Sequence, residues 1–343
     1  MKVKLVMIGF GTVGQGFAEL LLRKKEQLQK HYQLEPSVVA IADLKYGVAV
    51  SEQGVALEQA LKAVSLEDGF AGAGLAVKNI TTEELLKQMD YHVLVELTPT
   101  NLQTGEPALS FIRTALETGH HAITTNKGPC ALYLSTLLQL AREKQVQFRY
   151  EGTVLAGTPL LNLAETGLAG LEIQKVEGIV NGTCNYILTR MEEGMAYQEA
   201  LKKAQELGYA EANPEADVEG WDAVAKVMIL SQALFQHRIS KEDVDRQGIT
   251  DISVADVEEA KKQNESWKLI ASVENRNGRI MASVKPQRIP NSHPLAGVKG
   301  ATNAVTLTTD YLQQVTIVGP GAGKHETGYA VLNDLIAIHQ KMA

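Results

Sequence analysis

The sequence predicts an α/β chain of two domains, a parallel sheet wrapped by helices followed by an α+β domain. Three observations carry this. Up to Tyr150, short Val/Leu/Ile-rich runs alternate with amphipathic stretches. The loops that leave those runs hold Gly, Asp, Asn and Lys. Beyond about Tyr150 the pattern changes, and a glycine-punctuated loop and a strand precede two helices and two further strands.

Val3 to Ile8 reads as a strand buried on both faces, and it runs into Gly9-Phe10-Gly11-Thr12-Val13-Gly14 and a helix to about Gln29. Val38 to Ala42 forms a second strand ending at Asp43. A third, Tyr91 to Leu97, ends in Thr98-Pro99-Thr100, and a fourth, His121 to Thr125, ends in Asn126-Lys127-Gly128-Pro129. Between these two lies a helix from about Gly105 to Glu117, stopped by Gly119. Residues 44–80 show a helix near Val55 to Val64 and a glycine-bearing loop from Gly69 to Gly74. Strands separated by helices in this order require crossover connections and a parallel sheet, so the loops named above share its carboxyl edge, where ligands bind.

In the second half, Glu151 to Gly157 reads as a loop and Leu171 to Ile179 as a strand. Tyr197 to Leu207 and Val218 to Phe235 read as helices, and Arg279 to Lys285 and Ala304 to Thr309 as strands. Val315 to Val318, Gly319-Pro320-Gly321-Ala322-Gly323 and a helix from Glu326 to His339 look like a βα unit returning to the first domain. The expected division is therefore 1–150 plus 318–343, and 151–317.

Composition narrows the function. A length of 343 residues with 45% hydrophobic content suffices for two cores without disulfides or structural metal. A net charge of −7 argues against nucleic acid and anionic membranes, which require clustered Lys and Arg, and favours a small-molecule partner. Cys130 and Cys184 lack metal-ligand or redox-pair spacing, and no signal-like or membrane-spanning run is present, so the expected location is cytoplasmic.

The glycine loop carries the first chemistry. Gly9 permits a tight turn, Gly11 lets amides approach a pyrophosphate, and Gly14 lets helix pack on strand, so the loop reads as the phosphate cradle of a Rossmann-type dinucleotide site. Asp43 would accept from the ribose hydroxyls of NAD, and Lys45 would meet the 2′-phosphate of NADP. A solvated strand-end acid is the plainer alternative for Asp43.

Asp222 and Lys226 stand i, i+4 on a helix that also carries Val224, Met228, Ile229 and Leu230. On an exposed helix this would be an ordinary ion pair. On one this apolar the pair is buried, and burying it costs several kcal/mol unless the charge is used. Glu211 and Asp217 bracket Asn213-Pro214 upstream, and their carboxylates suit an ammonium group. Lys127 lies in a loop at the ligand edge. His120 and His121 read as structural, and His293 as an exposed loop residue or a site lining.

These residues resemble the homoserine dehydrogenase family over nearly the whole chain. The most specific stretch runs from Ala204-Gln205-Glu206-Leu207-Gly208-Tyr209 through Glu211, Asp217 and Trp221-Asp222 to Lys226, with support from Thr124 to Pro129, Glu151 to Pro159, Gly178 to Leu188 and Gly319 to Gly323. The resemblance implies that Lys226 transfers the proton and Lys127 also reaches substrate. It implies that Glu211 and Asp222 bind homoserine with Asp217, Thr183 and Tyr209 in the same pocket. Cofactor contacts would come from the Gly9 to Gly14 loop, Asp43, Thr98, Lys127, Gly208 and Gly323. It further implies a monovalent cation, often sodium, on Glu151 and the carbonyls of Val154, Ala156 and Thr158, and a homodimer built through the second domain. The family serves threonine, methionine and isoleucine biosynthesis. Longer relatives carry a C-terminal ACT module after the last helix, and the sequence ends at Ala343, so the expectation is a short form without threonine feedback through that route.

The implied reaction moves a hydride between homoserine and a nicotinamide cofactor, NAD or NADP, while Lys226 exchanges a proton with the reacting oxygen. Two alternatives stay open on the residues alone, a Rossmann dehydrogenase for another amino or hydroxy acid and a non-catalytic dinucleotide sensor.

Overall fold

A computed structural model describes residues 2–342. They form two compact units, 2–157 with 323–342, and 158–322.

The first unit is built on β1 (Lys2–Ile8), β2 (Glu35–Asp43), β3 (Gly47–Val50), β4 (Val93–Glu96), β5 (His121–Thr124) and β6 (Phe148–Arg149), in the order β3-β2-β1-β4-β5-β6. Every pairing is parallel except that of β2 with β3. The Val- and Ile-rich runs are buried on both faces because helices cover both sides of such a sheet. The strand order reverses beside β1, where Ile8 of β1 pairs with Glu96 of β4, and this switch point is where a doubly wound sheet opens a ligand crevice.

Several expectations need adjustment here. The first helix is two pieces, Thr12–Arg23 and Lys25–Tyr32, joined at Lys24. The Gly69 to Gly74 loop contains a single helical turn, Gly69–Gly72. A 17-residue helix, Lys127–Glu143, follows β5 where the sequence suggested a loop. Gly128 and Pro129 gave that impression, but in the first turn of a helix a missing N–H leaves no hydrogen bond unmade.

The second unit carries a mixed sheet of β7 (Ile173–Ile179), β8 (Val244–Arg246), β9 (Glu265–Arg276), β10 (Arg279–Pro290), β11 (Thr302–Thr309) and β12 (Gln313–Pro320), in the order β12-β11-β7-β9-β10-β8. β9 and β10 are joined by Asn277-Gly278, both at positive φ (53° and 86°), the backbone that a two-residue hairpin turn requires. That dipeptide marks β9, which the periodicity alone does not reveal. β12 pairs antiparallel with β11, so residues 313–322 belong to this unit and only the closing helix, Lys324–Met342, packs with the first unit, against Thr12–Arg23. The apparent βα unit is thus split within its glycine run, before Gly323. The expected helix from Val218 is also divided. Glu215–Val218 ends before Gly220, whose φ of 80° breaks the helical path, and Trp221–Phe235 begins anew.

Candidate active site

In the first unit the glycine loop has the geometry its sequence implies. Gly9 has φ 95°, and a Cβ there would lie 2.5 Å from the Leu97 carbonyl oxygen; one on Gly14 would lie 2.6 Å from the Gly9 oxygen. Gly11, the residue before the Thr12–Arg23 helix, is exposed and has open space at its Cα, so the helix N-terminus is accessible to an anion. Asp43 accepts from the Phe10 amide at 2.7 Å through one oxygen and from the Lys45 and Tyr46 amides at 2.8 and 3.3 Å through the other. The acid therefore fastens the loop to β2.

Lys127 is half-buried at the first position of its helix, capped by Asn126, whose Oδ1 accepts from Gly128 N at 3.0 Å. Gly323 is exposed and precedes the closing helix.

The second unit gathers a charged cluster around one asparagine. Lys226 is 7% exposed, pairs with Asp222 Oδ2 at 2.8 Å and donates to the Val180 carbonyl at 2.6 Å. Asp222 lies in the first turn of its helix, where a negative side chain is favoured. Asn181 Nδ2 donates to Asp217 Oδ1 at 2.7 Å and to Asp222 Oδ2 at 3.1 Å, while its Oδ1 accepts from Cys184 N and caps the helix Gly182–Glu192. The cap fixes which way the amide faces. Thr183 donates to the Tyr209 carbonyl at 2.5 Å, and the Tyr209 ring lies 5.1 Å from that of Tyr186. Burial pushes the Asp217 carboxyl above the ordinary range, with the Asn181 hydrogen bond opposing it. Two acids against one ammonium leave the cluster an excess of one negative charge, a setting for a cationic group of a ligand.

Family models for the homoserine dehydrogenase NAD-binding domain and for homoserine dehydrogenase match residues 9–151 and 159–336. The chain belongs to the homoserine dehydrogenase family. It is 42% identical to an NAD(+)-dependent homoserine dehydrogenase of Pseudomonas canavaninivorans, over 99% of this chain and 97% of the relative. It is 39% identical to a homoserine dehydrogenase of Methanocaldococcus jannaschii, over 98% of each. A hyperthermophilic archaeal homoserine dehydrogenase solved in complex with NADPH superimposes with a TM-score of 0.84 at 30% identity, covering 99% and 98% of the two chains. The chain is accordingly an NAD(P)-dependent oxidoreductase that interconverts L-homoserine and L-aspartate 4-semialdehyde.

Within this homoserine dehydrogenase, the sequence-derived residues divide by position. Asp217, Asp222, Lys226, Thr183 and Tyr209 come together. Glu211 lies exposed on the loop after Tyr197–Glu206, where its carbonyl accepts from Gln205 Nε2; Gly208 is exposed nearby with φ 74°. His293 turns to Leu295 N and Glu177 instead of the cluster. His120 stacks on Tyr91 and His121 accepts from Gln147 N, both partly buried. Trp221 carries the Arg246 guanidinium 4.0 Å above its ring, and His325 pairs with Glu19. The residue that sequence reasoning passed over is Asn181. An Asn between a strand and Gly-Thr is a helix-cap signal, but nothing in the sequence shows that its free N–H groups bridge two acids.

Proposed function

We propose that the second unit holds the amino acid through Asp217 and Asp222 while Lys226 exchanges the proton with its reacting oxygen, and that Glu211, Thr183 and Tyr209 complete the substrate pocket. The observation that carries this is the buried Lys226–Asp222–Asn181–Asp217 chain. A buried ion pair is costly, and here the fold supplies every partner that keeps it in place. Two of the Lys226 ammonium protons go to Asp222 and Val180, and among the described residues the third has no partner. As the acid form, Lys226 donates that proton to the aldehyde oxygen in reduction; in oxidation the neutral amine takes the hydroxyl proton as the carbon gives up its hydride. The nicotinamide, when bound, accepts or supplies that hydride.

The cofactor reading assigns the pyrophosphate to Gly9, Phe10, Gly11, Thr12, Val13 and Gly14, and gives Asp43, Thr98, Lys127 and Gly323 further contacts. NAD is the expected preference, because Asp43 would repel a 2′-phosphate. Following the NADH band with homoserine and each cofactor tests the whole reading. NAD is expected to give the higher kcat/KM, and another hydroxy acid outperforming homoserine would sink the substrate assignment.

A monovalent cation belongs to the same proposal. Glu151 is 2% exposed, Val154, Ala156 and Thr158 are buried, and Ala156 has φ 48°. The cation's ligands would be Glu151 and the backbone carbonyls of Val154, Ala156 and Thr158, all oxygen donors of the kind a hard cation takes. It would brace the segment and carry no proton. A homodimer through the second unit, a cytoplasmic location and a role in threonine, methionine and isoleucine synthesis complete the proposal; among the described residues no helix is long and apolar enough to cross a membrane.

Asp217 yields a pH prediction. Its folded-state pKa is raised by burial, so ionisation costs the fold. The stability held below the unfolded value of about 3.9 is lost as pH rises through the folded value. Asp217→Asn is therefore expected to be at least as stable as wild type at neutral pH. Because binding an ammonium needs the ionised form, wild-type kcat/KM should decline on the acid side at a pH above the ordinary Asp range. That limb should vanish in the variant, whose homoserine KM rises. Thermal unfolding and pH–rate profiles on both proteins check the two signs.

A further inference from the structure

Glu96 is the last residue of β4, at the switch point beside β1, and it is fully buried. A buried carboxylate is costly unless donors surround it. Here they do. Oε1 accepts from the Thr98 amide at 2.7 Å and from the Thr98 hydroxyl, and Oε2 accepts from the Thr124 hydroxyl at 2.6 Å. The proton directions follow from the neighbours. Thr124 Oγ1 already accepts from the Asn126 amide at 2.9 Å, and Thr98 Oγ1 from Asn126 Nδ2 at 3.5 Å, so both hydroxyl protons are turned to Glu96.

Asn126 continues the chain, donating to the carbonyls of Thr98 and Pro99 at 3.1 and 3.2 Å while capping the helix that begins with Lys127. One carboxylate thus ties the loop after β4 to the loop after β5. The pyrophosphate loop leaves β1 on the other side of the switch, with Gly9 packed on the Leu97 carbonyl. In a sheet of this order the adenine half lies over β1 and β2, and the nicotinamide half over the strands beyond the switch.

We propose that Glu96 is a positioning residue for the nicotinamide half of the cofactor, acting through Thr98, Thr124 and Asn126; the proposal rests on the assignment of the cofactor to this edge. Its carboxylate orders the two loops before any ligand arrives. Gln in its place brings two N–H groups into a pocket whose other members already donate, so one side of the network must turn away.

The test separates the two halves of the cofactor by direct binding, without turnover. Glu96→Gln should bind NADH at least tenfold more weakly than wild type and ADP-ribose, which lacks the nicotinamide, within twofold. Equal losses for both ligands, or no loss for NADH, would overturn the proposal. If Glu96→Gln fails to fold, Thr124→Val removes a single donor and should weaken NADH severalfold while sparing ADP-ribose; unchanged NADH binding in that variant also overturns it. Gly11→Asp checks the underlying assignment separately, since a carboxylate at the phosphate cradle should weaken both ligands, and unaltered binding of both would refute the cofactor site and leave Glu96 without a ligand to position.

Discussion

Lys226→Met is expected to lower kcat by about 10²- to 10⁴-fold, the range of a lost general acid or base, while NADH affinity stays near wild type. The loss falls on the chemical step because Met fills the space of the lysine stem but carries no proton. Stability should fall by less than the about 3–5 kcal/mol typical of orphaning a buried charge. Asp222 keeps the Asn181 N–H at 3.1 Å, and its side chain is 18% exposed, so water shares the burden. A purely structural ion pair makes the opposite forecast, with a lower melting temperature and near-normal turnover per folded molecule. Thermal unfolding, NADH titration and steady-state rates on one preparation decide between them.

Asp222→Asn is expected to raise KM for homoserine by about 30-fold or more, in line with the ~2–5 kcal/mol scale for breaking a buried charged contact. Lys226 and Asn181 both donate to the same oxygen, Oδ2, so the single carbonyl oxygen of Asn can keep both hydrogen bonds while the negative charge is lost. If that charge holds the substrate ammonium, 4-hydroxybutyrate, which lacks the amino group, should show no such penalty. An equal rise in KM for both substrates would mean that Asp222 shapes the pocket without recognising the ammonium.

Local patterns made much of this site legible. The turn at Gly9, the open helix end at Gly11 and the close packing at Gly14 depend on neighbours in sequence, and so does the i, i+4 geometry of Asp222 and Lys226. Each follows from the size or spacing of residues on one element. The apolar neighbours of Lys226 also announced its burial. The same local reading misjudged Gly128-Pro129, because helix-breaking residues lose their force in a first turn.

By itself, then, the sequence determined the parallel nucleotide-binding sheet, the phosphate cradle, the buried lysine with its acid and, through the long stretch ending at Lys226, the family. Tertiary structure alone decided that β12 joins the second sheet, since Val315 to Val318 would be an equally good strand in either unit. It also decided that Asn181 reaches Asp217 and Asp222, 36 and 41 residues away, and that Glu96 meets Thr124 at a separation of 28. The physical reason is the same in each case. A hydrogen bond or strand pairing between distant segments depends on where two backbones are brought together, and neither segment carries that position in its own pattern of residues.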